Sequence, residues 1–237
     1  MGKALRGNPV SPGVARAEAY HYEPLVMTLE TGCFKAGKET EYWKAFREAH
    51  ARTKEELQRL QEQVSENDAK AASIFAGHVV LLEDEDLMYE IRNAMLNDRM
   101  FPEFAIEACF TERVTALCEV EDELIAERIA DILDVKRRLL RNYLGKAERN
   151  LSQLEKDVIV VAQDLMPSDV ATLDRTYVKG IITEQSATNS HAVIIARSYQ
   201  IPMVTGVENA MEEIAEGSFV EIDGEGGMVV ADVVKAQ

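Results

Sequence analysis

The residues best suited to chemistry lie in Thr183-Glu-Gln-Ser-Ala-Thr-Asn-Ser-His191-Ala-Val-Ile-Ile-Ala-Arg197-Ser-Tyr-Gln-Ile-Pro202. A strand is predicted to end near Thr183, and a loop of small polar residues follows. Ser190 is a good N-cap, which makes His191 the first residue of a helix. There the unpaired backbone N–H groups and the helix dipole favour an anion, by roughly 0.3–1 kcal/mol and up to about 2 when partly buried. The same field disfavours an imidazolium and keeps the ring neutral and nucleophilic near neutral pH. A neutral ring nitrogen attacking phosphorus, with amides placed for the product's negative charge, is a coherent phosphoryl-transfer site. A single Ser-His pair is equally compatible with a histidine that opens a helix and does nothing more.

Two kinds of element must position that segment. Val14 to Tyr20, after the turn Ser11-Pro12-Gly13, reads as a strand. From about Thr40 to Gly145 the pattern is helical. Tyr42, Phe46, Thr53, Leu57, Leu60 and Val64 form one stripe, Ile74, Phe75, Val79 and Leu82 a second, and Leu87, Ile91 and Met95 a third. Pro102 opens the next helix, with Ile106, Phe110 and Leu117. The last carries Ile125, Ile129, Ile132, Leu139 and Tyr143 and is capped by Gly145. Such a series of amphipathic helices predicts a bundle. Beyond it, Val158–Ala162 has the β-branched run of a doubly buried strand, Gly180–Thr183 a second, and Met203–Gly206 a further extended piece. Phe219–Ile222 and Met228–Val230 flank the turn Asp223-Gly-Glu-Gly-Gly227. The predicted class is α/β, with residues 1–32 and 146–237 forming one discontinuous domain and 33–145 an inserted helical bundle.

Composition narrows the function classes. The 237 residues are 46% hydrophobic and 29% charged, as in ordinary globular proteins. No apolar run approaches the roughly 20 residues of a membrane helix, and the N-terminus is no signal peptide, so a cytoplasmic protein without membrane insertion is expected. The net charge of −16 argues against a nucleic-acid partner. Three cysteines without CxxC spacing and four scattered histidines predict neither disulfides nor a metal site.

Several motifs in order resemble the N-terminal domain of Enzyme I of the phosphoenolpyruvate:sugar phosphotransferase system. They are Val10-Ser-Pro-Gly-Val-Ala15, Ile74-Phe-Ala-Gly-His-Val-Val-Leu-Leu-Glu-Asp-Glu85, Glu127-Arg128 with Asp131, and Lys136-Arg-Arg-Leu-Leu-Arg-Asn142. Asp164-Leu165, Pro167-Ser168, Ser190-His191, Ala196-Arg197-Ser198 and Ile201-Pro202 complete the set. The resemblance implies a swivelling phosphohistidine α/β domain with a helical insert that docks the carrier protein HPr. It implies that His191 takes a phosphoryl group from phosphoenolpyruvate and passes it to a histidine of HPr, with Ser190, Asn189, Thr183 and Arg197 supporting the phosphate. His78, Leu81, Leu82, Glu85, Asp86, Leu87 and Arg128 are expected on or near the HPr-facing surface. The leucines and His78 are equally readable as bundle core, and Glu83 to Asp86 as a solvated face.

By the same resemblance, phosphoenolpyruvate and Mg²⁺ are bound by a C-terminal barrel that also forms the homodimer. The chain by itself is then expected to hold no cofactor, to be monomeric and to exchange phosphoryl groups only with a phosphorylated carrier. The active loop departs from the family: Ser186 and Ala187 stand where two glycines are usual, and Thr188 where a basic residue is frequent. Met166 and Val170 stand where a further hydroxyl is frequent. The altered loop is expected to hold a phosphate less closely or in a different shape. Two other readings remain at this level, an Enzyme I-like donor for dihydroxyacetone kinase and an HPr-binding regulatory module without transfer.

Overall fold

The computed structural model describes residues 3–66, 68–118, 123–146, 151–186 and 190–232. The chain divides into two compact units, Met1–Leu25 with Arg149–Gln237, and Val26–Glu148. The fold is α/β with a helical unit inserted between two strands of the sheet.

The first unit is built on an eight-stranded mixed sheet. Its strands are β1 (Lys3–Arg6), β2 (Asn8–Ser11), β3 (Val14–Tyr22), β4 (Val158–Ala162), β5 (Val178–Thr183), β6 (Met203–Thr205), β7 (Phe219–Asp223) and β8 (Met228–Ala231). They lie in the order β1-β8-β7-β3-β4-β5-β6-β2. The strands β3, β4, β5 and β6 run parallel, with Tyr22 opposite Ala162, Ala162 opposite Thr183, and Ile182 opposite Val204. Antiparallel β7 and β8 extend one side, and the edges are β1 on β8 and β2 on β6. All five residues of β4 are buried, as a central strand with cover on both faces requires. On one face Ile159, Val161, Ile182, Val204, Val220, Ile222 and Val229 form a continuous apolar layer with Ala210 and Ile214.

Among the described residues this unit also has the short helices α6 (Pro167–Thr172), α7 (His191–Ser198) and α8 (Ala210–Glu213). The strands β1 and β2 and the helices α6 and α8 differ from the sequence-based expectation. Each is six residues or fewer, too short to show a period. Tertiary pairing makes the two strands and the Pro167 φ starts α6.

The second unit holds α1 (Glu39–Ser65), α2 (Ala69–Leu82), α3 (Glu85–Leu96), α4 (Pro102–Cys118) and α5 (Glu123–Leu144). The stripes meet as Phe46, Leu57, Val64, Phe75, Leu82, Leu87, Ile91, Met95, Ile106, Phe110, Val135 and Leu139, all buried. Burying each of these side chains contributes roughly 1.5–3 kcal/mol. Asp68 caps α2 by accepting from Lys70 N, and Asp84 caps α3 by accepting from Leu87 N, both at 2.7 Å. Those two aspartates separate α1 from α2 and α2 from α3. Gly145 follows α5 at φ +61°, a left-handed stop that glycine tolerates without strain.

Side-chain hydrogen bonds tie elements together in both units. In the bundle Arg138 Nη1 donates to Glu56 at 2.6 Å, Arg141 shares that carboxylate, and Asn142 donates to Thr53 Oγ1 at 3.0 Å. In the sheet unit Tyr22 Oη, at the end of β3, donates to Asp169 Oδ1 in α6 at 2.8 Å. Both groups are buried, so the bond ties the sheet's carboxyl end to α6.

Tyr22→Phe should lower the unfolding free energy by about 1–3 kcal/mol, because a buried carboxylate loses a donor. Urea unfolding of the variant checks this, and an unchanged midpoint would show that the bond carries no stability. Burial, reinforced by Glu90, pushes the Cys109 thiol up from 9.0 to about 11. The folded state therefore holds that proton more tightly than the unfolded state does. Its contribution to stability is present below pH 9.0 and is lost as pH rises toward about 11. At a pH below that range, iodoacetamide should alkylate the exposed Cys33 and Cys118 quickly and Cys109 only on unfolding. Equal rates at all three thiols would contradict the buried placement.

Candidate functional site

Ligand sites of open α/β sheets lie outside the carboxyl ends of the parallel strands. Here β4 ends at Ala162 and β5 at Thr183, side by side. The chain beyond each end is held by the other: Glu184 N donates to Ala162 O at 3.1 Å, and Gln185 N to Gln163 O at 2.9 Å. Thr183 is buried, and its Oγ1 donates to Gln185 O at 3.1 Å, so its hydroxyl fixes the start of the loop. The end of β6 adds two bonds, from Gly206 N to Gln185 O and from Val207 N to Thr183 O.

His191 is the first residue of α7 and is half-buried. Ser190, in extended conformation, caps the helix, and its Oγ accepts from Val193 N at 3.4 Å. The ring thus stands where α7 presents its positive end, while Ala192, Val193, Ile195 and Ala196 bury the helix's apolar side. Tyr199, just past α7, anchors it through a hydrogen bond from its Oη to Ala171 O at 3.3 Å. Under Asp164-Leu165, the Asp169 carboxylate accepts from Met166 N at 2.9 Å and closes the turn into α6. One polar side chain reaches the loop's entry from elsewhere: Asn8 Nδ2 donates to Ser186 Oγ at 2.7 Å. A residue 178 positions away leaves no trace in the local pattern, so neither Asn8 nor the Tyr22–Asp169 bond is legible in the segment around His191.

The structure brings Thr183, Ser190 and His191 to one end of the sheet and places Arg197 elsewhere. Arg197 lies six residues along α7, about 9 Å up the axis at ~1.5 Å per residue. Its Nε donates to Val10 O in β2. Through that bond Arg197 fastens α7 to the edge strand. Asn189, together with Ala187 and Thr188, lies outside the described residues.

The expected partner surface divides by burial. Glu85, Asp86 and Arg128 are exposed and Leu81 is half-buried. His78, Leu82 and Leu87 are buried at 1% exposure, which corrects their placement on a partner-facing surface. The reason is the helical period: His78 and Leu82 share the stripe of Ile74 and Phe75, and Leu87 that of Ile91 and Met95. His78 is instead a core histidine. Its Nε2 sits 2.9 Å from Asp131 Oδ1, and its ring meets Phe75 edge-on.

Among the described residues no three His, Cys, Asp or Glu side chains converge as a metal site. None of the described helices is long and apolar enough to cross a membrane.

Comparison with known proteins places this geometry. Residues 6–128 match the family described as PEP-utilising enzyme, N-terminal, and residues 154–227 match PEP-utilising enzyme, mobile domain. The phosphoenolpyruvate-protein phosphotransferase of Bacillus subtilis (strain 168) is 37% identical over 229 residues, covering 96% of this chain and 40% of the relative. That of Priestia megaterium is 35% identical over 234 residues, covering 98% and 40%. The chain thus spans about 40% of the length of these curated relatives. A solution NMR structure of an Enzyme I protein superposes with a TM-score of 0.79 at 31% identity, over 98% of this chain and 94% of that one. The N-terminal domain of Enzyme 1 - Nitrogen shares the fold, with a TM-score of 0.66 at 21% identity over 96% and 93% of the two chains. With its N-terminal and mobile regions both matched and a 31% identical structure covered almost end to end, this chain belongs to the PEP-utilising enzyme family, as a relative of Enzyme I.

Proposed function

We propose that this chain carries a phosphoryl group on His191 and transfers it reversibly between phosphoenolpyruvate and a histidine of the carrier HPr, in a cytoplasmic sugar phosphotransferase system. The observation that carries the reading is the placement of His191 as the N-capped first residue of α7, beside the carboxyl ends of β4 and β5. Family membership and the naming of the curated relatives as phosphoenolpyruvate-protein phosphotransferases support it.

In that reading a neutral imidazole nitrogen of His191 attacks the phosphorus. An N–P bond forms as the bond to the donor breaks, which is a carrier N–P bond or the enol O–P bond of phosphoenolpyruvate. The donor's electron pair leaves with its own nitrogen or oxygen. Attack leaves a phosphoimidazolium ring with one positive charge, and its remaining N–H proton is given up to solvent or to the leaving group. The positive end of α7 then faces the phosphoryl oxygens, an interaction stronger for the product dianion than for the neutral ring. Ser190 keeps that turn in register, and Thr183 holds the loop that leads into it.

We place Mg²⁺ and the binding of phosphoenolpyruvate outside these residues, in the part of the curated relatives that this chain does not match. The exposed Glu85, Asp86 and Arg128 are the groups we assign to the carrier interface. An acidic protein of net charge −16 suits a carrier whose docking face is basic.

With radiolabelled phospho-HPr as donor, the wild-type chain should take up acid-labile label and return it to unlabelled HPr. His191→Ala should abolish uptake without changing the unfolding midpoint. Label that persists in His191→Ala would move the acceptor elsewhere and refute the assignment. Glu85→Lys and Asp86→Lys together should weaken HPr binding by about tenfold, most strongly at low salt, as isothermal titration would show. Leu82→Ala should instead act on stability, lowering it by about 2–5 kcal/mol, because it empties bundle core.

A further inference from the structure

Helix α3 has two faces of different character. Leu87, Ile91 and Met95 are buried in the bundle, while Glu85, Asp86, Tyr89, Arg92 and Asn93 stand exposed. Tyr89, at the middle of the exposed side, leaves 70% of its surface in water. With Arg92, Asn93, half-buried Leu96 and Asn97 it lines a depression of about 240 Å³.

The charges on this side are open. Glu90 is taken by Arg113 of α4, whereas Glu85, Asp86 and Arg92 make no ion pair among the described residues. Arg92 lies over the Trp43 ring of α1, 5.8 Å from its centroid, and Trp43 stacks in turn on buried Phe46. The guanidinium is thus held in place without being neutralised.

The spacing of these charges is self-complementary. Glu85 and Arg92 are seven residues apart, about two turns, and so share one flank of the outer face. Asp86 and Asn93 share the other flank in the same way. In a two-fold pair of antiparallel helices, each flank meets the same flank of its twin running the other way. Glu85 then falls opposite Arg92 of the second copy, Arg92 opposite its Glu85, and Asp86 opposite its Asn93. A parallel pair would instead bring Glu85 against Asp86. The centre of the antiparallel pair falls at Tyr89. Helix side chains tilt toward the N-terminus, so each tyrosine leans toward residues 92–97 of the other copy, where the depression lies.

We propose that a second copy of this chain docks on this face, α3 against α3 in antiparallel two-fold pairing, and shields the acidic corner from the carrier. The pairing stands on the spacing alone, and the shielding rests on the reading of Glu85 and Asp86 as carrier contacts. A basic carrier face and Arg92 of the second copy compete for the same carboxylates.

Sedimentation of the full 237-residue chain at low salt tests the pairing. One helix face on another buries less than the roughly 1,200 Å² of a stable interface, so dimer is expected at about 0.1–1 mM chain and less of it at high salt. Glu85→Arg and Arg92→Glu should each lower the association constant by about tenfold or more, because each turns two attractive contacts into repulsive ones. Mixed in equal amounts, the two variants should pair again, since each supplies the charge that the other lacks. Tyr89→Ala should weaken the dimer with the urea midpoint unchanged. A wild-type chain that stays single at about 1 mM overturns the proposal. So does a dimer that survives both reversals, or a pair of variants that stay apart when mixed. HPr added to the dimer should convert it into a one-to-one complex. HPr bound to an intact dimer overturns the shielding. HPr that binds neither form overturns the carrier assignment and the shielding with it, while the dimer itself is read separately.

Discussion

A strand buried on both faces must find hydrogen-bond partners on both edges, and β4 is such a strand. Each of its N–H and C=O groups left unpaired in that interior would cost about 1–3 kcal/mol. On one side β5 follows it in the chain and supplies parallel pairing. On the other side the partner is β3, which lies more than a hundred residues earlier. The sheet is completed only when the N-terminal segment returns, so the unit is discontinuous and the helical unit sits in sequence between β3 and β4. Because β3, β4 and β5 run parallel, their carboxyl ends lie together, at Tyr22, Ala162 and Thr183.

That alignment produces the site. Tyr22 reaches Asp169 and orders the turn into α6, Ala162 and Gln163 receive the loop that leaves β5, and Thr183 ties that loop to itself. Helix α7 then begins with its positive end at His191. Each local term is small, since a cap or a dipole interaction is worth about 1 kcal/mol. Their effect is directional, as they fix where an anion is accepted while the buried sheet supplies the stability. Division of labour also explains the two fates of the α2–α3 residues. The stripe facing inward holds the bundle together, and the acidic residues at its corner stay in water.

Much of this is legible in the amino-acid sequence alone. Long amphipathic helices announce themselves through repeated apolar spacing, and the β-branched run Val158–Ala162 reads as an interior strand. The Ser190-His191 helix start was legible because capping is a contact between near neighbours. What escaped was set by distance or by shortness. The strands β1 and β2 form because β8 and β6 offer free edges, which no local pattern records. Arg197 carries the right charge for a phosphate, yet its position at the far end of α7 directs it to Val10 O. His78 looks like a surface ligand by type and proves to be a packed, hydrogen-bonded member of an apolar stripe. Asn8 is invisible as a partner for Ser186 until the edge strand is placed beside the loop.

The central claim is that one of four histidines is chemically distinct because of where its helix begins. The chain should be incubated with phospho-HPr, digested at alkaline pH to preserve N–P bonds, and mapped by mass spectrometry. The account expects phosphoryl on the peptide containing His191 and on none of those with His21, His50 or His78. Modification spread over several histidines, or concentrated on another, would contradict it.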